Sequence, residues 1–366
     1  MRVFVTGSRG IPNIPGGIET HCQNLYPLMV ENGAEVLIAR RKAYAPEAIN
    51  EWNGISLFDI YAPKIKGFEA IIHTFLSLFH AVSYKPDLVH IHGIGPALLT
   101  PVAKLLGLKV VITHHGSDYE RANWGFLAKS ILKLGEKVGC YFADECIAIS
   151  KPIQNTILKR SGSQSHLIFN GVNVRIKTNT KAYIDKFGLE SNKYIVAVAR
   201  FVPEKGLHDL IEAFTLADIE HKLVIAGDAD FKTEYSEQLK SKAAENPNII
   251  LTGYITGEKL HEVYSHASLF ALPSYHEGLP ISLLEALSYG LKPLVSDIPA
   301  NKQVPLGEEC FFKVGDVNDL KSKLLTSTVR PCVDELQQYV KLVRDKYNWK
   351  HIAEETMDVY QKVYKI

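Results

Sequence analysis

The chain has 366 residues, of which 46% are apolar and 22% charged, with a formal net charge of +1. This length favours two globular domains over one, each with its own core. The near-neutral charge argues against a nucleic-acid binder that works through a general basic field. The five cysteines are odd in number and lack C-x-x-C spacing, which favours reduced thiols over zinc ligands or disulfides: Cys22, Cys140, Cys146, Cys310 and Cys332.

The first seven residues predict a strand that enters a turn rather than the charged segment and long apolar run of a signal peptide. No run reaches the roughly eighteen apolar residues that a helix needs to span a bilayer. We therefore expect a cytoplasmic protein.

Short apolar runs alternate with helical patterns along the chain, which predicts parallel sheets covered by helices on both faces. In the first half the predicted strands are residues 2–6, 35–39, 88–92, 109–113, 145–149 and 166–169. In the second half they are residues 194–199, 222–226, 248–251, 269–272, 292–296 and 310–313. Two such sets predict two Rossmann-like domains, joined near the turn-prone residues 170–173.

Residues 272–297 predict a loop, a short buried helix and a strand in succession. Pro280 opens the helix and Gly290 closes it, so Glu277 lies in the loop before the helix and Glu285 on its second turn, roughly 10 Å away. The free amides of the first helical turn lie between the two carboxylates and attract anions. A nucleotide diphosphate sugar has a matching shape, anionic in the middle. Taken alone, each Glu is more simply a solvated or capping residue.

Residues 199–206 follow a predicted strand and place Arg200 and Lys205 in one loop. Two cations at this spacing can meet on one pyrophosphate, and Arg can bind it through two parallel hydrogen bonds. Surface ion pairing is the alternative.

The first strand leads into a loop rich in Gly and Pro, residues 7–19, in which the backbone at Gly16 and Gly17 can approach a phosphate. The dinucleotide fingerprint G-x-G-x-x-G is absent, although T-G-x-x-G is present. A mobile surface loop is the alternative.

Another buried strand leads into His114 and His115, at the sheet edge where parallel sheets bind ligands. Adjacent side chains of an extended chain point to opposite sides, so at most one of these two is expected to face a ligand. A histidine that only satisfies hydrogen bonds near a strand end is the alternative.

These motifs together resemble those of the large retaining glycosyltransferase family called family 4, which has the GT-B fold. The resemblance covers most of the chain and is most specific at ARFVPEKG, residues 199–206, and at the E-x7-E of residues 277–285. The loop GIPNIPGGIETH, residues 10–21, also resembles that of a subset of bacterial polysaccharide glycosyltransferases.

The resemblance implies an α/β protein with two Rossmann-like parallel-sheet domains that face each other across a cleft. The acceptor-side domain is expected at 1–172 and the donor-side domain at 173–348. A C-terminal helix at 349–366 is expected to cross back to the first domain.

The resemblance also implies a role for each candidate residue. Glu277 and His115 hold the donor sugar, Glu285 binds the ribose, and Arg200 and Lys205 stabilise the leaving diphosphate. Backbone groups complete the donor site at Gly16, Gly17, Gly278, Leu279, Pro280 and Ile281. Tyr254 supports the nucleotide base, and Asp118 positions the acceptor or His115.

A D-x-D motif at Asp228 and Asp230 is the only sign of a metal, because in a different glycosyltransferase fold D-x-D holds a divalent cation with the diphosphate. The family resembled here uses no metal at this place, so we predict metal-independent transfer. No cofactor is expected beyond the substrate, a nucleotide diphosphate sugar.

Two helical patterns carry apolar or basic stripes, at residues 68–82 and 121–137. A helix packed on a sheet and a solvated face are the simpler interpretations, and peripheral docking on an anionic membrane is the other. Relatives with this Gly-rich loop tend to build bacterial surface polysaccharides, so the resemblance implies a lipid-linked acceptor in O-antigen or capsule synthesis at the inner face of the membrane.

The sequence thus predicts a retaining hexosyltransferase of the lipopolysaccharide or capsule type. A sugar-nucleotide epimerase with the same fold is the main alternative, since it would act on the donor without an acceptor. An NAD-dependent dehydrogenase has only T-G-x-x-G in its favour, and no Tyr heads the Y-x-x-x-K pair of short-chain reductases. A carbohydrate-binding protein would not need both cations and both carboxylates.

Overall fold

In a computed structural model of the chain, residues 1–45, 49–63, 68–120, 125–327 and 333–365 are described, the side chains of 333–335 excepted. The chain divides into two compact units. The first comprises Met1–Gly171 and Asn348–Ile366, and the second comprises Val172–Tyr347.

The first unit contains an eight-stranded sheet within these described residues. Its strands are β1 (Arg2–Thr6), β2 (Glu35–Arg41), β3 (Glu51–Trp52), β4 (Ile55–Ile60), β5 (Leu88–His92), β6 (Val110–His114), β7 (Glu145–Ala148) and β8 (His166–Leu167). They pair in the order β3-β4-β2-β1-β5-β6-β7-β8. The helices are α1 (Gly17–Glu31), α2 (Glu69–Tyr84), α3 (Ile94–Ala97), α4 (Thr100–Leu105), α5 (Phe126–Phe142) and α6 (Lys151–Ser161).

The second unit contains a six-stranded sheet whose described pairs are all parallel. Its strands are β9 (Tyr194–Val198), β10 (Lys222–Ala226), β11 (Ile249–Gly253), β12 (Leu269–Leu272), β13 (Lys292–Ser296) and β14 (Phe311–Phe312), in the order β11-β10-β9-β12-β13-β14. The helices are α7 (Leu207–Ala217), α8 (Glu234–Ala244), α9 (Gly257–His266), α10 (Ile281–Ser288), α11 (Pro299–Lys302), α12 (Val317–Ser327) and α13 (Val333–Lys346).

The last helix, α14 (Trp349–Lys365), belongs to the first unit and packs against α1. It buries Trp349, Ile352, Tyr360 and Val363 in the same core cluster as the strands of the first sheet. Short 3-10 turns occur at Asp118–Glu120, Ile184–Phe187, Pro203–Lys205 and Glu308–Cys310. The predicted α/β architecture with two Rossmann-like sheets is confirmed.

One edge of the first sheet differs from the prediction of parallel strands. β3 and β4 form an antiparallel hairpin whose turn is Asn53-Gly54, with φ of 48° and 75°. These positive φ values suit the Asn-Gly turn that matches the twist of a two-residue hairpin. Neither strand was predicted from sequence, because neither is a continuous buried apolar run: β3 has two residues, of which Glu51 is exposed, and β4 begins with an alternation of buried and partly buried residues.

Helix α2 packs on the first sheet through the buried Leu78 and Ala81, although part of the apolar stripe predicted for residues 68–82 is exposed. Phe75, Phe79 and Val82 on α2 are 42%, 51% and 40% exposed, and the buried face of the helix carries smaller or polar residues such as Thr74 and Ser77. The predicted packing of this helix on the sheet is therefore confirmed, and the exposed members of the stripe lie outside that contact. Among the described residues, no helix has both the length and the apolar character that crossing a membrane requires.

In each sheet the direction of strand addition reverses beside the first strand of the unit. β1 lies between β2 and β5, and β9 lies between β10 and β12. Such a reversal leaves a crevice beyond the carboxyl ends of the strands, where open α/β sheets bind their ligands. The loops after β1 and β5, and those after β9 and β12, are therefore where functional residues are expected.

Candidate functional site

The loops after β9 and β12 touch each other in the second unit. Gly206 ends the first loop with a φ of 62°, and a Cβ there would lie 2.1 Å from the carbonyl oxygen of Pro273 in the second loop. The backbone N–H of Tyr275 donates to the carbonyl of Glu204 at 2.9 Å. Residue 206 must be Gly for this approach, since any side chain would clash with the facing backbone.

This approach places Lys205 against Glu277. Lys205 Nζ lies 2.6 Å from Glu277 Oε1, and Ser274 Oγ donates to the same oxygen at 2.7 Å. The two charged side chains are only 19% and 9% exposed. Because solvent screens the pair little, its interaction is stronger than that of a surface ion pair. Two motifs that are 72 residues apart in the sequence thus meet at the switch point of the sheet.

Arg200 lies in the same loop after β9 and pairs with Asp230, whose carboxylate is 3.0 Å from Arg200 Nη1. The other carboxylate of the D-x-D motif, Asp228, pairs with Lys240 at 2.8 Å. The two acidic residues are therefore bound to two different cations. Arg200 is about one-third exposed, so its guanidinium is accessible from solvent.

Helix α10 begins immediately after the loop that carries Glu277. Pro280 is its N-cap, and the Pro280 carbonyl accepts hydrogen bonds from the amides of Leu283 and Leu284 at 3.2 and 3.3 Å. Since Pro has no N–H, Pro280 fixes the start of the helix and leaves the donation to its neighbours. Gly278 and Leu279 form the turn before the helix, and Ile281 is its first residue.

Glu285 lies on the second turn of α10, where Tyr264 donates to its Oε2 at 3.2 Å. Burial raises the pKa of Glu285 to about 7, against the opposing effects of the Tyr264 hydrogen bond and the Arg175 charge. This carboxyl group therefore titrates near neutral pH. Tyr254 follows β11 and is 54% exposed.

In the first unit, the loop between β1 and α1 is packed against the protein. Ile11 and Ile14 are buried, and Glu19 Oε1 accepts the backbone N–H of Arg9 at 2.8 Å. Gly16 has a φ of 145°, and a Cβ there would lie 1.9 Å from Glu19 Oε2. Glu19 therefore braces the loop, and the positive φ of residue 16 favours Gly there.

Gly17, the first residue of α1, is exposed, and a Cβ added there would meet no atom within 4 Å. The fold of the first unit therefore does not itself require Gly at position 17. The open space beside its backbone leaves room for a ligand at the start of α1.

His115 follows β6, and its Nε2 lies 2.8 Å from Nδ1 of His92, the last residue of β5. His21 on α1 completes the group, with ring centroids 4.8 Å from His115 and 5.5 Å from His92. Burial and the neighbouring imidazoles hold the pKa of His115 well below its usual range. His115 is consequently neutral at pH 7.

The adjacent His114 points the other way, as the extended backbone predicts. Its Nε2 lies 2.7 Å from Oε1 of the buried Glu136, which also accepts the Tyr119 hydroxyl and contacts Arg160. His114 is therefore part of the core. Asp118 starts the 3-10 turn three residues after His115 and is partly buried.

The structure thus brings Lys205 and Glu277 together directly. It places Arg200 in the loop of Lys205, Glu285 on the helix that follows Glu277, and His115 at the corresponding edge of the other sheet. Sequence reasoning missed His21 and His92. His92 had a readable signal, since it is a polar residue that ends a buried parallel strand; His21 had none, because its place depends on how α1 packs.

Two family models match the chain. The model described as Glycosyltransferase Family 4 matches residues 15–175, and the model described as Glycosyl transferases group 1 matches residues 179–327. The two matches fall on the first and second unit respectively.

Similar proteins span the whole chain or its greater part. An uncharacterised glycosyltransferase of Methanocaldococcus jannaschii is 25% identical, covering 96% of this chain and 95% of that protein. TuaC of Bacillus subtilis, a candidate teichuronic acid biosynthesis glycosyltransferase, is 30% identical over 58% of this chain and 54% of its own. The crystal structure of Anabaena HepE with UDP and glucose shares the fold, with a TM-score of 0.79, 15% identity and 99% of each chain covered.

Proposed function

Because the chain belongs to the family 4 type of glycosyltransferases, which have the GT-B fold, we propose that it moves a sugar from a nucleotide diphosphate sugar to an acceptor hydroxyl with retention of configuration. The observation that carries this proposal is the contact of Lys205 with Glu277 at the switch point of the second sheet. The contact places a cation suited to a diphosphate beside a carboxylate suited to sugar hydroxyls, at the start of α10.

The diphosphate binds to Arg200, Lys205 and the backbone amides around Gly278, Leu279 and Ile281. Negative charge grows on this group as the bond to the sugar breaks, and fixed cations and helix amides stabilise it without reorganising. These groups supply the charge that a divalent metal would otherwise bring. Transfer is therefore metal-independent in this proposal.

Glu277 and Glu285 bind the hydroxyls on either side of the diphosphate, Glu277 those of the sugar and Glu285 those of the ribose. In the unliganded chain Glu277 is neutralised by Lys205. When the donor phosphate draws Lys205 away, the Glu277 carboxylate becomes free to accept sugar hydroxyls. Tyr254 supports the base from the end of β11.

The first unit contributes His115, which contacts the donor sugar, and the backbone at Gly16 and Gly17, which faces the diphosphate. A neutral His115 can hydrogen-bond a sugar hydroxyl without adding a charge to the site. Asp118 lies close along the chain and positions the acceptor.

The reaction breaks the bond between the anomeric carbon and the phosphate oxygen and forms one to the acceptor oxygen on the same face. The acceptor proton passes to the departing phosphate oxygen. No covalent sugar–enzyme intermediate is needed, and no reductant, oxidant or cofactor takes part.

We further propose that the acceptor is a lipid-linked oligosaccharide of a bacterial surface polysaccharide, O-antigen or capsule, used at the inner face of the cytoplasmic membrane. One support is the name of TuaC, which refers to teichuronic acid biosynthesis. Another is the exposed apolar surface of the first unit: Phe75 and Phe79 on α2, and Phe126 and Leu127 on α5. Lys133 and Lys137 are exposed on α5 too, which suits an anionic lipid surface.

The test is a donor-turnover assay with radiolabelled nucleotide sugars and bacterial lipid extract as the source of acceptors. Transfer predicts release of a nucleoside diphosphate and label in the lipid fraction. An epimerase would change the donor sugar with no release and no need for lipid. Isomerisation without transfer would contradict the proposal.

A further inference from the structure

Three histidines meet in the first unit at the carboxyl ends of β5 and β6, beside the first turns of α1. One ring nitrogen from each of His21, His92 and His115 lies within 4.8 Å of those from the other two. The three residues come from three different elements, so the group exists only because the fold assembles it. Neither the motifs nor the transfer reaction accounts for His21 or His92.

His21 has one ring nitrogen that is buried and unused. Its Nδ1 lies 3.0 Å from the side-chain oxygen of Asn170, which only accepts, so Nδ1 carries the proton. Nε2 therefore carries a lone pair. This nitrogen has no hydrogen-bond partner among the described residues, and because His21 is only 3% exposed it is also shielded from water. A buried acceptor without a partner costs free energy and calls for an explanation.

His92 can adopt either tautomer because of its own neighbour. The Tyr26 hydroxyl lies 2.6 Å from His92 Nε2 and 3.0 Å from His90 Nδ1. When Tyr26 donates to His92, the proton of His92 is on Nδ1 and bonds to His115 Nε2 at 2.8 Å. When Tyr26 donates to His90 instead, His92 holds its proton on Nε2 and Nδ1 has a free lone pair.

The second tautomer leaves a lone pair on one nitrogen of each ring: His21 Nε2, His92 Nδ1 and His115 Nε2. Histidine binds a metal ion only through a nitrogen that carries no proton, and in this tautomer each of the three rings has one such nitrogen. A metal ion therefore binds without first displacing a proton into solvent. Asn170 and Tyr26 hold two of the rings through their other nitrogen, as the second shell of a metal site does.

We propose that His21, His92 and His115 bind a transition-metal ion of the zinc class through three neutral imidazoles, with water in the fourth position. Zinc bonds to imidazole nitrogen at about 2.0–2.1 Å, so tetrahedral ligands lie roughly 3.3 Å apart. To reach this spacing the 2.8 Å gap between His92 Nδ1 and His115 Nε2 opens by about 0.5 Å, and the ring nitrogens now up to 4.8 Å apart draw closer. Three nitrogen ligands favour zinc, cobalt, nickel or copper over magnesium or calcium, which prefer oxygen.

The site ties the start of α1 to the ends of two strands, so an ion held there stabilises this edge of the first unit. Thermal melting of the metal-free protein is expected to shift upward by roughly 5 °C when zinc is present at about one hundred times its dissociation constant. The site shares His115 with the transfer proposed above, but its readout is metal binding in the absence of donor, so a negative result here leaves that proposal untouched.

The direct test is titration of the metal-free full-length chain with Co²⁺ and then Zn²⁺. We expect one equivalent of Co²⁺ to give the intense visible absorption of four-coordinate cobalt, and one equivalent of Zn²⁺ to abolish it. His115→Gln and, separately, His21→Ala are expected to remove the signal. Asn170→Ala keeps all three ligands and is expected to weaken binding about 10- to 100-fold.

The matched control is His351→Gln, because His351 on α14 is exposed and lies near Glu354 and Glu355, the kind of surface group that binds metal weakly. This variant is expected to behave as the wild type. Absence of four-coordinate cobalt in the wild type overturns the proposal, as does stoichiometric binding that survives His115→Gln but not His351→Gln. Melting curves without metal check that each variant is folded.

Discussion

Replacing Lys205 with Ala tests the proposed diphosphate site most sharply. Lys205 Nζ makes a 2.6 Å contact with Glu277 in a region where the two side chains are 19% and 9% exposed. In the proposed complex Lys205 hydrogen-bonds to the donor diphosphate. A hydrogen bond to a charged group is worth about 1.5–3 kcal/mol, so the loss of this bond raises the dissociation constant of the donor by about 10- to 150-fold. The upper end is expected, because the variant lacks the positive charge that offsets Glu277 and the anionic donor in this part of the site.

Turnover falls as well in this variant, since Lys205 also stabilises the charge that develops on the leaving group. The assay combines calorimetric titration of the nucleoside diphosphate with initial rates of its release from the donor. Lys193→Ala is the matched control, because Lys193 forms an exposed pair with Glu190 in the same unit. A donor dissociation constant and rate within twofold of wild type would remove Lys205 from the site and refute the reasoning.

Four further outcomes are expected. Glu285→Ala should weaken donor binding more than it slows turnover, and wild-type kinetics would contradict this. Burial raises the pKa of Glu285 from 4.5 to about 7. Protonation of Glu285 therefore stabilises the folded state fully below pH 4.5, and this stabilisation is lost as the pH rises through 7. Between pH 4.5 and pH 7 the free energy of unfolding of the wild type should therefore fall by up to about 3 kcal/mol relative to that of Glu285→Gln, as measured in denaturant titrations. A difference between the two proteins that does not change with pH would contradict the burial of this carboxyl group. EDTA should leave transfer intact, and a strict requirement for added Mn²⁺ or Mg²⁺ would restore the D-x-D of Asp228 and Asp230 as a metal site. Purified protein should float with anionic liposomes at low salt, less so after Phe79→Ser, and full recovery in the soluble fraction would argue against membrane contact.

The second unit was the more predictable from sequence. Its buried strands are continuous apolar runs, and the structure has a strand within or beside each predicted one. The helix α10 begins and ends where Pro280 and Gly290 predict, because these residues act through the local backbone. Lys205 and Glu277 lie in the loops that directly follow β9 and β12. Because these two strands are neighbours in the sheet, the strand order alone brings the two side chains together at the switch point.

The first unit was less predictable, because its features depend on tertiary packing. The helix α1 begins at Gly17, within the residues 7–19 that the sequence assigns to the Gly-rich loop, and Glu19 turns back to brace that loop. The predicted helix over 121–137 begins in the structure at Phe126, and Arg121 lies outside the described residues. His21 reaches His115 only through the packing of α1 against the sheet, which no local pattern encodes.

The observed limits of the units also depend on packing. The break falls between Gly171 and Val172, and the returning segment begins at Asn348. A Cβ on Gly171 would lie 2.5 Å from the indole of Trp349, so the last residue of the first segment must be Gly for the final helix to pack there. Gly171 and Trp349 are far apart in the sequence, so no local pattern predicts their contact.

The measurement that tests the central claim most directly is a thermal-shift series with UDP, GDP, ADP, CMP and dTDP, each beside its common sugar conjugates. Ligand at about a hundred times its dissociation constant adds roughly 2.7 kcal/mol to the stability of the folded state, which raises the melting midpoint by several degrees. A nucleotide-sugar transferase predicts a clear shift with one base, reduced in Lys205→Ala. A shift with NAD or NADP and none with any of these nucleotides would contradict the account.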